Sequence, residues 1–181
     1  MENYNNIQEN EENVVAGIVG ALLFALVGGV LWFLLYQVGY IAAISGFIGI
    51  ICAMKGYSFF AKRESKKGIV IAIIATVLVM IIAWYICLAN DIYITYKEWF
   101  ANGEVDYAPT FFEAVRNAYL FLEEPAVAAA YLKDLGIGLL FCALGAISSV
   151  SKALKRIKTQ KAEQSEEVFA EPILNGGEEE I

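Results

Sequence analysis

Residues Gly17 to Trp32 read GIVGALLFALVGGVLW. The run carries no charge, yet it holds Gly17, Gly20, Gly28 and Gly29, and in water each would cost a helix interior about 1 kcal/mol relative to alanine. In hydrocarbon the balance changes. An unbonded backbone group there costs several kcal/mol, so the helix is kept and the glycines become places where another backbone can come close. With its flanks, Val14 to Tyr36, the run is predicted to be a membrane-spanning helix.

A bilayer core needs roughly 20 apolar residues in a helix, and three further segments meet or approach that length. Val38 to about Phe60 is the second, Gly68 to Asn90 the third, and about Leu132 to Leu154 the fourth, with its unbroken apolar part beginning at Leu135. The predicted class is all-α, a polytopic bundle of four transmembrane helices with a short extracytoplasmic helical segment. The predicted organisation is an acidic tail over 1–13, a helical hairpin over 14–60, a basic loop over 61–67 and a helix over 68–90. An outer segment over 91–134, a helix over 135–154 and a tail over 155–181 complete it. Composition agrees: 59% of residues are apolar, and the charges, net −7, fall in a few segments instead of being spread along the chain. That net charge implies no nucleic-acid partner, because the two signs occupy different places.

Lysine and arginine set the expected orientation. AKRESKK carries Lys62, Arg63, Lys66 and Lys67, and the fourth span runs into Lys152, Lys155, Arg156, Lys158 and Lys161. Both places are expected on the cytoplasmic side of the cell membrane, which puts both termini inside. The segment Asp91 to Asp134 holds eight acids against Lys97, Arg116 and Lys133 and is expected outside. Trp32, Tyr36, Trp84 and Tyr85 near the outer ends, and Tyr57, Phe59 and Phe60 near an inner end, read as interfacial aromatics. Lys62, Arg63, Lys155 and Arg156 read as the matching cationic anchors. Lys55 is expected to snorkel from near its helix end. The N-terminus has no positive n-region, so Val14 onward reads as a retained helix and not a cleaved signal.

The glycine question extends to the other spans. Gly17, Ala21, Ala25 and Gly29 recur every four residues, with Ala16, Gly20 and Gly28 alongside. The second span offers Ser45, Gly49 and Ala53 beside Ala42 and Gly46. The fourth offers Gly145, Ser149 and Ala153 beside Gly138, Cys142 and Ala146. These strips predict close helix packing, with spans one and two as a tight antiparallel hairpin across Gln37-Val38-Gly39. A rival reading is that the first strip binds a second copy. The third span, IVIAIIATVLVMIIAWYI, is bulky and β-branched and is expected to lie towards lipid.

Outside the spans, the stretch from Asp91 reads as an amphipathic continuation of span three, with Ile92, Tyr93, Tyr96, Trp99 and Phe100 near the membrane, and Asn102-Gly103 marks its stop. Thr110-Phe-Phe-Glu113 fits a capping box opening a helix whose Phe111, Val115, Ala118 and Leu122 share a face. Pro125 suits the first turn of the next helix. The tail from about Thr159 reads as disordered, with EEVFAEPIL as a docking motif against a solvated tail.

At Gly20 to Leu22, Leu31-Trp32, Gln37 to Ala42 and Lys55 to Tyr57 the chain resembles a group of uncharacterised small four-helix membrane proteins of Gram-positive bacteria. Thr110-Phe111, Ala130-Tyr131 and Asp134-Leu135 extend the similarity. The resemblance implies a topology and no activity. Some members carry a zinc ribbon before the first helix, but no cysteine precedes Val14 here, so no zinc is expected.

The sequence contains no histidine, and Cys52, Cys87 and Cys142 all fall in apolar runs. No phosphate loop, calcium loop or zinc-protease motif occurs. Catalytic, metal and cofactor residues are therefore expected to be none. The leading expectation is a non-enzymatic packing and interaction protein whose partners are the lipid bilayer and either a second copy or another membrane protein. A small transporter or channel subunit assembled by oligomerisation comes second, and an enzyme using the outer acids third.

Overall fold

The computed structural model describes residues 12–38 and 44–174. Among them it is all-helical, with no strand and five helices, four of them long and apolar enough to cross a membrane. In chain order these are α1 (Val14–Gln37), α2 (Ile44–Ala61), α3 (Lys66–Ala101), α4 (Phe111–Phe121) and α5 (Pro125–Leu174).

Local chemistry sets the boundaries. The Asn13 side chain caps α1 by accepting from the Ala16 N–H at 3.0 Å. Ser65 does the same for α3, accepting from the Gly68 N–H at 2.9 Å. Thr110 and Glu113 form the expected capping box on α4. Asn102 closes α3, and Gly103 follows at φ 74, a left-handed geometry that glycine adopts without a Cβ penalty. Lys62 takes φ 58 just after α2, a position that costs a non-glycine residue about 1 kcal/mol.

Several elements depart from the sequence reading. Val38 is the C-cap of α1 and not the first residue of the second span; α2 is described from Ile44, and the intervening Gly39 and Ala42 lie outside the described residues. The helix of the third span, by contrast, runs on past Asn90 to Ala101 as the amphipathic continuation expected from the sequence, about 54 Å at 1.5 Å per residue and well beyond a hydrocarbon core of about 30 Å. Helical backbone in α5 continues to Leu174, through the first part of the tail read as disordered and through EEVFAEPIL.

The largest difference concerns the place of α3. It is not the lipid-facing helix but the central one, packed against α1, α2, α4 and α5. Its side chains are segregated: Gly68, Ala72, Ala75, Thr76, Val79 and Ala83 are buried, whereas Val70, Ile74, Leu78, Ile81 and Ile82 are exposed. Much of its β-branched bulk therefore lies on one face, while the inward face sets these small residues among the larger Met80, Trp84 and Leu88. Thr76 is fully enclosed and returns its hydroxyl to the Ala72 carbonyl at 2.8 Å, so it brings no unpaired polar group into the core.

Candidate functional site

Four features of the bundle bear on function: a glycine-lined seam, a polar node at each end, and a basic cleft.

In the seam, α1 and α2 meet backbone to backbone. A Cβ added at Gly20 would strike the Gly56 carbonyl oxygen and come within 2.6 Å of Phe60, and one at Gly28 would lie 2.6 Å from the Gly49 Cα. One at Gly29 would meet Val79 of α3 at 2.7 Å. Gly17, Ala21, Ala25 and Gly29, with Gly46, Gly49 and Ala53 opposite, are all buried. The strip offered as a surface for a second copy is thus covered from within the chain. On α5, Gly138 receives the Trp32 ring and Gly145 faces Ile50, where a Cβ would lie 2.8 Å away. Ser149 is half-buried and lines the basic cleft.

The first node lies where α1 ends and α5 begins. Asp91 Oδ2 accepts from the Tyr36 hydroxyl and from the Tyr131 hydroxyl, each at 2.7 Å, so one carboxylate ties α1, α3 and α5 together. One and two turns earlier on α3, Cys87 and Trp84 are buried, and the Trp84 indole N–H donates to the Tyr131 carbonyl at 2.7 Å. The Tyr85 hydroxyl donates to the Val115 carbonyl at 2.8 Å and links α4 to the same region. Below α4, Leu88, Ala89 and Ile92 pack on Ala114 and Ala118, flanked by edge-to-face pairs of Tyr93 with Phe111 and Tyr96 with Phe121.

Trp32 and Trp84, read from sequence as interfacial, are interior residues at 1% and 7% exposure. The Trp32 ring fills space left open by Gly138 of α5, a use that a single-helix aromatic count does not reveal. The Trp32 N–H has no partner among the described residues.

The second node lies at the opposite, basic end. Glu12 Oε1 accepts from the Tyr57 hydroxyl at 2.6 Å and also from the Ser65 hydroxyl. Tyr57, read as an interfacial ring, is 1% exposed and slotted between Gly17 and Gly68, whose absent side chains make room for it. Burial pushes the Glu12 carboxyl up, but the hydrogen bonds from Ser65 and Tyr57 and the charges of Lys67 and Arg63 outweigh it and hold the group below its usual range. Sequence reasoning treated Glu12 and Asp91 as ordinary charges of the polar segments. Their one distinguishing mark, standing at the edge of an apolar run, is shared by many solvated acids.

Beside this node a cleft of about 530 Å³ opens between α2, the start of α3 and α5. Ile51, Met54, Ile69 and Ala153 form its apolar part, while Lys55, Lys152, Arg156 and Glu64 surround its polar part. Arg156 Nη1 stands 3.2 Å from Glu64 Oε1, and Glu64 Oε2 is buried with no partner among the described residues. An adjoining hollow of about 580 Å³ brings in Lys62, Arg63 and Lys155. The four basic residues read as membrane anchors are therefore brought together around one depression by two separate segments of chain.

Among the described residues no group of three histidine, cysteine or acidic side chains comes together to hold a metal, and the three thiols are free. No known family, curated protein or solved structure matches the chain.

Proposed function

We infer that the chain is an integral protein of the cell membrane, with its basic end and both termini cytoplasmic, which works by helix packing and association and not by catalysis. The observation that carries this reading is the way two half-buried carboxylates are used. Asp91 and Glu12 each accept from two hydroxyls of neighbouring helices or loops, so they brace the bundle. A reaction centre needs a nucleophile beside a base, or convergent groups around a place for substrate; these carboxylates are instead engaged by structural partners. The orientation follows from the clustering of Lys62, Arg63, Lys152, Lys155 and Arg156 at one end, under the rule that places such residues inside. Membership of the Gram-positive group is part of the same reading and rests on the short motifs it shares.

Because the α1 strip is covered from within, association would use an outward face, and α5 offers Leu140, Leu144 and Ile147. A photoactivatable crosslinker at Leu144, activated in native membranes, tests this. A discrete adduct with a second copy or with one membrane protein is the expected result, and adducts with lipid alone would sink the association reading.

A second reading, a channel or transporter subunit, is favoured by Asp91, since an ionisable group held between three helices near the membrane is often functional. Ion flux through proteoliposomes that is abolished by Asp91→Asn would support it. Vesicles as tight as protein-free ones would dispose of it.

A further inference from the structure

We propose that the basic cleft between α2, α3 and α5 holds the phosphate headgroup of an anionic phospholipid, with acyl chain running along its apolar part. The proposal rests on the reading of the chain as a membrane protein and adds a ligand to it.

Three observations converge. The cleft, about 530 Å³, is within the range of small-molecule sites, roughly 300 to 1,000 Å³. Its lining divides by chemistry along α2 and α3: Ile51 and Met54 precede Lys55 and Ser58 towards the basic end of α2, and Glu64 and Ser65 at the basic start of α3 give way to Ile69, while α5 adds Lys152 and Arg156. This is the order of an amphiphile lying with its tail towards the bilayer and its head at the membrane surface. Finally, the cations outnumber the acids. Lys55, Lys152 and Arg156 face Glu64, and Lys62, Arg63 and Lys155 stand around the adjoining hollow.

The existing internal acid explains how the site would be gated. Arg156 is paired with Glu64, and that pair is largely open to solvent on the arginine side, with 69% of its side chain exposed. Such a pair is weak, so a phosphate can compete for Arg156, whose planar guanidinium offers two parallel donors to phosphate oxygens. Basic pockets between membrane helices are known to take lipid headgroups, and each cation near an anionic surface contributes about fivefold in affinity. The shared chemistry of a lipid headgroup and a soluble phosphate is a phosphoryl dianion or monoanion. The apolar half of the cleft favours the lipid.

The test uses the full chain purified in mild detergent, titrated with phosphatidylglycerol or phosphatidylcholine and followed by thermal unfolding and native mass spectrometry. Phosphatidylglycerol is expected to bind and stabilise, phosphatidylcholine is not, and inorganic phosphate or glycerol phosphate is expected to compete only weakly. The triple variant Lys55→Gln, Lys152→Gln, Arg156→Gln is expected to lose about a hundredfold in apparent affinity. A charge-matched triple outside the cleft, Lys66→Gln, Lys67→Gln, Lys158→Gln, is expected to stay within about fivefold of the parent. Glu64→Gln releases Arg156 and is expected to tighten binding about threefold, a gain that misfolding cannot imitate.

Equal response to the two lipids overturns the proposal, as does equal loss in both triples or no gain from Glu64→Gln. A soluble phosphate that binds as well as the lipid also overturns it. Failure of the unmodified chain to enter vesicles of pure phosphatidylcholine is a different failure, that of the membrane reading itself.

Discussion

The α1–α2 seam and the layer formed by α4 with the end of α3 are held by opposite means. In the seam, Gly20 meets the Gly56 carbonyl and Gly28 meets Gly49, and contact is made by bringing backbones together. In the α4 layer the contacts are made by reach: Tyr36 and Tyr131 onto Asp91, Tyr85 onto Val115, and the capping box of Thr110 with Glu113. Inside lipid, burial supplies no drive to bring helices together, so dispersion between closely approaching surfaces must do it. At the wet end apolar burial works again, and hydroxyls and carboxylates can be paired without leaving a group stranded in hydrocarbon.

This contrast can be broken most forcefully in the seam. Gly20→Ile places a branched side chain against backbone that cannot rotate away, and unfolding in detergent is expected to show a loss of about 3 kcal/mol or more. Gly136→Ala is the comparator: a Cβ there meets nothing within 4 Å, and stability is expected to hold or rise slightly. Unchanged stability in Gly20→Ile would mean that the helices do not approach there.

The next effect belongs to the other region. Asp91→Ala leaves the Tyr36 and Tyr131 hydroxyls without their acceptor and is expected to cost about 2 kcal/mol in the same assay. Asp91→Asn keeps an acceptor oxygen and should fall between the two. Smaller still, Thr110→Ala removes the cap of α4 and is expected to cost about 1 kcal/mol, read as lost protection of the α4 amides while the seam stays protected.

The smallest effect is a pH dependence confined to α4. The Tyr107 hydroxyl first, then the Thr110 backbone and side chain, draw the Glu113 carboxyl down to about 2. A carboxyl lowered on folding stabilises above its unfolded value, about 4.3, and its contribution is lost as pH falls through about 2. Carboxyl carbon NMR should therefore show a late titration for Glu113, with the start of α4 fraying across that window. A titration near 4.3 would show that the capping box does not hold the carboxylate.

How legible each region was follows from the range of the interactions that make it. The capping box, the stop at Asn102-Gly103 and the opening of α5 at Pro125 are local, and sequence spacing alone located all three. The place of α3 was not legible, because an apolar count cannot tell a helix with two unlike faces from one that is bulky all round. Trp32 misled for the same reason: whether a ring faces headgroups or fills the gap left by Gly138 depends on a helix more than a hundred residues away in the chain.

The order of residues by itself determined that this chain is helical and that four of its helices are suited to lipid, because hydrogen-bond satisfaction in hydrocarbon is a requirement on each segment separately. It also determined the local starts and stops. Only the tertiary structure decided which helix stands at the centre, that Asp91 and Glu12 are braces, and that two distant basic segments close around one cleft. Those outcomes depend on which faces meet, and a face has no partner until the helices have packed.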